Sequence, residues 1–166
     1  MSQFVKAMRA IATTALVGGY GWIGVATAAA DAHSDALAGM LSKGYNPANC
    51  TVDSKGGGLA AYKCGQNPLA NGPASAEYIL YGNSADTSGG FNGGVGTLAM
   101  TPCSSGDPMP DTWHFKSSPN TSAGAVACGT SNGAAMVIWT NDQNHMVGMI
   151  GGTDQDALYQ WWETNG

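Results

Sequence analysis

Residues Gly129-Thr130-Ser131-Asn132-Gly133 fit the pattern G-x-S-x-G, which holds a serine on a sharp turn as a nucleophile. Asp142 and His145 follow in the order Ser, Asp, His that one class of serine hydrolases uses. Such a serine needs a strand before it and a helix after it. Here Ala134 to Thr140, which contains Val137, Ile138 and Trp139, reads as a strand. The motif is then a hairpin tip, where Gly, Ser and Asn serve turn geometry. The chain beyond it is also short for a hydrolase of that kind. An exported serine hydrolase using Ser131, His145 and Asp142 is kept as an alternative reading.

Other chemistry-bearing groups have structural explanations. His33, His114 and His145 show no helical ligand spacing and no H-E-x-x-H, so no metal site is expected. Asp107, Asp111, Asp154 and Asp156 offer carboxylates of the kind glycosidases pair, but the first two sit in a proline-rich loop and the others at a helix start. Gly19-Tyr20-Gly21-Trp22-Ile23-Gly24 matches the dinucleotide pattern G-x-G-x-x-G, yet lacks the strands and helices that would place a pyrophosphate. No catalytic residue and no cofactor is expected. Trp113, Trp139, Trp161 and Trp162 could stack on a sugar or another flat ligand; Trp113, Trp139 and Trp161 are taken as the ligand-facing candidates, against a core role for all four.

The first thirty residues explain the glycine pattern. Lys6 and Arg9 precede an uncharged apolar run, Ala10 to Ala30, that ends in Ala26-Thr27-Ala28-Ala29-Ala30. A positive head, an apolar middle and a small-residue exit make a secretory signal, cut after Ala28 or Ala30. A retained membrane anchor is the alternative, and the four glycines within the run weaken it. Residues 31–166 then form one exported domain. Two of the six basic residues and none of the eleven acids lie in the first thirty, so this domain carries four Lys, no Arg and a net charge of −7. Such a surface does not neutralise phosphates, which excludes nucleic acid and anionic membranes as partners.

Four cysteines remain: Cys50, Cys64, Cys103 and Cys128. An even count in an exported chain reads as two disulfides, and the absence of any C-x-x-C argues against zinc. Of the three pairings, the sequential one (Cys50–Cys64 and Cys103–Cys128) closes the shortest loops within local strand pairs. Asn49 and Asn120 begin N-glycosylation patterns that matter only in a eukaryotic secretory path.

The elements that must position these groups follow from periodicity. A short helix is expected over Ser34–Lys43, capped by Ser34, with Leu37, Met40 and Leu41 on one face. Strands are expected over Leu59–Cys64, Ala76–Tyr81, Thr97–Cys103, Thr112–Lys116, Ala123–Cys128, Ala134–Thr140 and His145–Ile150. Asn83–Val95 is ambiguous between loop and weak helix. A final helix over Thr153–Glu163, capped by Thr153, carries Ala157, Leu158, Trp161 and Trp162 as an apolar stripe. The order predicts an α+β domain: an antiparallel sheet with short N- and C-terminal helices packed on one face.

Four stretches carry a resemblance: Gly44-Tyr45-Asn46-Pro47-Ala48-Asn49-Cys50, Tyr62-Lys63-Cys64-Gly65-Gln66-Asn67, Ala127-Cys128-Gly129-Thr130 and Asp156-Ala157-Leu158-Tyr159-Gln160-Trp161-Trp162. Together they resemble a group of small exported proteins of mycobacteria and related actinobacteria, mostly of unknown function. Similar domains form the extracytoplasmic part of some membrane serine/threonine kinases. The resemblance brings no catalytic residues. The chain has no H-R-D catalytic loop and no D-F-G, so it is not expected to be a kinase. The sequence reading is an extracytoplasmic, non-catalytic binding or sensor-like module of the cell envelope or medium. Its partner would be a small molecule, a glycan or an envelope protein. A structural, antigen-like envelope protein is the other alternative, and it predicts no concave aromatic pocket.

Overall fold

The computed structural model describes residues 32–103 and 108–166; the expected signal segment and Asp107 lie outside the described residues. Helix α1 spans residues 32–38. Strands β1 (Cys50–Val52), β2 (Ala60–Cys64) and β3 (Ser75–Leu80) lead into helix α2 (Ser84–Val95). Then come β4 (Ala99–Thr101), β5 (Asp111–His114), β6 (Ser122–Ser131), β7 (Ala134–Asn141), β8 (Met146–Gly152) and helix α3 (Gln155–Asn165).

The fold is α+β. The eight strands form one antiparallel sheet in the order β1-β2-β3-β8-β7-β6-β4, with β5 also on β6. β6 is ten residues long, enough to hold β4 against Cys128–Thr130 and β5 against Ser122–Val126 along the same edge. Both expected disulfides are present: Cys50–Cys64 joins directly opposed residues of β1 and β2, and Cys103–Cys128 ties the end of β4 to β6. β1 was not anticipated as a strand. Its three residues leave Thr51 and Val52 exposed, so it has little hydrophobic pattern and is secured covalently.

Side chains alternate across the sheet and fill two cores. On one face Tyr62, Tyr78, Val137, Trp139 and Ile150 meet Leu37 of α1 and Leu158, Trp161 and Trp162 of α3. Each such fully buried side chain contributes roughly 2 kcal/mol. Gly148, opposite Trp139, is required by close approach, because a Cβ there would enter the indole ring. On the other face Ala127, Ile138 and Val147 receive Phe91 of α2. The N- and C-terminal helices thus share a face as expected, but α2 covers the opposite one, so helices flank both sides. β7 and β8 are buried on both faces and need that second cover.

Two caps differ from expectation. α1 begins ahead of Ser34, which lies inside the first turn, and it ends before Gly39 rather than running to Lys43. The N-cap of α3 is Asp154, not Thr153: Asp154 has extended backbone and its carboxylate accepts from the Ala157 amide at 2.8 Å. A carboxylate also complements the positive helix end better than a hydroxyl does.

Candidate binding groove

The alternation that buries Trp139 beneath α3 also fixes which aromatics reach solvent. Tyr159, Trp162 and Glu163 lie at spacings of three and four on α3, facing β5 at the sheet margin. Between them lies a groove of about 630 Å³, walled by Trp113, Phe115, Tyr159 and Trp162, with Lys116 and Glu163 on its lining.

Trp113 is placed by a gap in the neighbouring strand. Its pairing partner Gly124 has no side chain, and the indole Nε1–H donates to the Thr140 carbonyl at 2.7 Å. The register shifts between Trp113 and His114, a bulge that re-aims the strand's last residues. The rings then interlock. Trp113 meets Phe115 edge-on at 4.8 Å and Trp162 edge-on at 5.6 Å. Tyr159 stacks on Trp162 at 5.5 Å, and Trp162 reaches inward to Trp139 at 5.8 Å. Phe115 remains 42% exposed, whereas Trp162 is 6% exposed. Trp162 Nε1 is buried without an acceptor, beneath Gly166, where an added Cβ would lie 2.6 Å from it.

Of the three expected ligand-facing tryptophans, only Trp113 lines this groove. Trp139 is 2% exposed and packs edge-on against Tyr78, and Trp161 is a core residue at 6%. They face inward because Trp139 shares its side of β7 with Val137, and Trp161 shares its side of α3 with Leu158. Phe115 and Tyr159 were missed as groove residues. The signal existed: Phe115 follows Trp113 by two, and Trp162 follows Tyr159 by three.

The serine, aspartate and histidine are not brought together. Ser131 pairs with Ala134, and Asn132 (φ 50°) and Gly133 (φ 82°) form the two-residue turn between β6 and β7. His145 lies beyond the far end of β7, which eight residues carry about 23 Å away at the rise of a strand. Asp142 accepts from Thr140 Oγ1 at 2.6 Å. Among the carboxylates, Asp111 accepts from the Thr112 amide at 2.7 Å and Asp156 lies in the first turn of α3. His33 lies in α1, and His114 lies exposed on the groove lining. Among the described residues no three His, Cys, Asp or Glu side chains gather as a metal site.

A smaller hollow of about 220 Å³ lies on the opposite face, over Lys63, Glu77, Met136 and Met149. Lys63 bridges Asp53 at 2.6 Å and holds that carboxyl below its ordinary range; burial pushes the Glu77 carboxyl up.

No family model, curated protein or solved structure matches this chain.

Proposed function

We propose that this chain is an exported, extracytoplasmic binding module, non-catalytic, whose ligand lies in the groove between β5 and α3. The observation that carries the reading is the aromatic wall itself. The domain buries most of its large aromatics yet leaves Phe115 and part of Trp113 uncovered in a concave site. Apolar rings with a few polar groups around them are the usual composition of a ligand pocket.

Export is supported by the basic head, apolar run and alanine exit of the first thirty residues. The two disulfides are compatible with an oxidising compartment. No helix among the described residues is long and apolar enough to cross a membrane. The resemblance to exported actinobacterial proteins and to kinase extracytoplasmic domains agrees with a sensor-like role at the envelope.

The test is a screen of small molecules, glycans and peptides by tryptophan fluorescence and thermal shift, with parent protein and Phe115→Ala side by side. Phe115 is exposed enough that its truncation leaves folding intact. A ligand that shifts the parent and loses its effect in Phe115→Ala supports the groove. Ligands that bind both proteins equally place the site elsewhere and refute it.

A further inference from the structure

The groove's polar groups narrow the chemistry of its occupant. Lys116 and Glu163 place one positive and one negative charge on its lining, so the site has no net preference for either sign. The domain around it carries −7, which repels anionic polymers. An ammonium ligand would find aromatic faces, but also Lys116, and it could not satisfy Trp162 Nε1, which only donates. Buried indole N–H groups ordinarily find an acceptor, and this one has none.

A sugar answers each of these features. Its C–H face lies flat on an aromatic ring, and its oxygens accept from an indole N–H. Thr112 and Ser117 add hydroxyl-bearing residues to the lining, and Thr164, also on it, already donates its hydroxyl to the Gln160 carbonyl at 3.1 Å. We propose that the groove takes an uncharged glycan segment, its rings on Trp113 and Phe115 and one of its oxygens on Trp162 Nε1. That oxygen displaces Gly166, which has no side chain and is held over the indole by its N–H donating to the Trp162 carbonyl at 2.7 Å. This inference rests on the binding-module reading and names its ligand class.

The experiment titrates the protein with neutral linear oligosaccharides (glucose and N-acetylglucosamine series), an anionic polysaccharide and short aromatic peptides. Calorimetry gives affinity, and nitrogen-15 tryptophan labelling follows the indole N–H signals. The expected result is saturable binding of a neutral oligosaccharide, weakened about fivefold to tenfold by Phe115→Ala, as loss of one ring contact implies. Val52→Ala, at the opposite sheet edge and 62% exposed, leaves that binding unchanged. The Trp162 indole signal moves downfield as it gains an acceptor. Absence of oligosaccharide binding up to millimolar concentration, or binding indifferent to Phe115→Ala, overturns the glycan assignment. If an aromatic peptide binds instead and depends on Phe115, the glycan falls while the groove stands; if no probe depends on Phe115, both fall.

Discussion

Helix α2 is built from residues that oppose helix formation, and its glycines sort into two kinds. Gly89 and Gly93 lie on the outer side, where an added Cβ meets nothing within 4 Å. Gly90 faces the sheet side, where a Cβ would run into the Tyr81 ring and hydroxyl. Each interior glycine costs about 1 kcal/mol relative to alanine, through backbone entropy. Gly89→Ala with Gly93→Ala therefore stabilises the domain by about 2 kcal/mol, a rise in Tm of about 6–8 °C at this size. Gly90→Ala gains the same helix propensity but must push Tyr81 off Gly90. Overpacking of that kind, about 1–3 kcal/mol, offsets or outweighs the gain and leaves a net loss of up to about 2 kcal/mol. Thermal unfolding followed by circular dichroism, with urea midpoints at unchanged slope, reads both effects. A double variant less stable than the parent would show that the outer face of α2 is not open. A Gly90→Ala variant more stable than the parent would show that Tyr81 does not pack there. Either result refutes the placement of this helix.

Two further outcomes follow from buried groups and staples. Burial raises the Tyr45 hydroxyl pKa from 10.0 to about 12, so native stability is intact below pH 10 and falls as pH rises toward 12, because the unfolded chain releases that proton first; Tyr45→Phe flattens this alkaline loss in pH-dependent urea melts, and an unchanged slope would contradict it. Serine replacement of Cys50–Cys64 or Cys103–Cys128, which close separations of 14 and 25 residues, lowers stability by about 3 and 3.5 kcal/mol on the chain-entropy model, and only the second pair weakens ligand binding in the groove; equal effects on binding would contradict the placement of β5.

Much of the fold was legible because burial writes itself into spacing. Val137, Ile138 and Trp139 mark a strand buried on both sides, and Leu158, Trp161 and Trp162 mark one face of a helix. What was not legible depended on partners distant in sequence. α2 has little intrinsic propensity; it exists because Asn83 caps it, accepting from the Asp86 amide at 2.9 Å, and because Phe91 docks on Ile138 and Val147. β1 is a strand only because Cys50 lies opposite Cys64. The groove was half legible. Trp113 was named, but Trp161 and Trp162 are adjacent residues separated by 100° around a helix, and only the position of β5 decides which one reaches it.

The position of β5 depends on β6 more than on its own four residues. A strand this short at a sheet edge gains little from pairing alone. Asp111 caps the Thr112 amide, Gly124 opens the space that Trp113 crosses, and Thr140 accepts the indole. Upstream, Cys103–Cys128 fixes the chain on β6 shortly before β5 begins. Each of these is a local constraint, and together they hold Trp113 in place. A wall held this way has little side-chain freedom left to lose, one of the costs of any association. Phe115 lies just beyond the end of β5, held by its edge-on contact with Trp113 at 4.8 Å and by the Ser118 amide donating to its carbonyl at 2.9 Å. The Trp113–Trp162 side of the groove is therefore the more constrained, fixed by the Thr140 carbonyl and by edge-on packing, and Phe115, 42% exposed, is the less constrained.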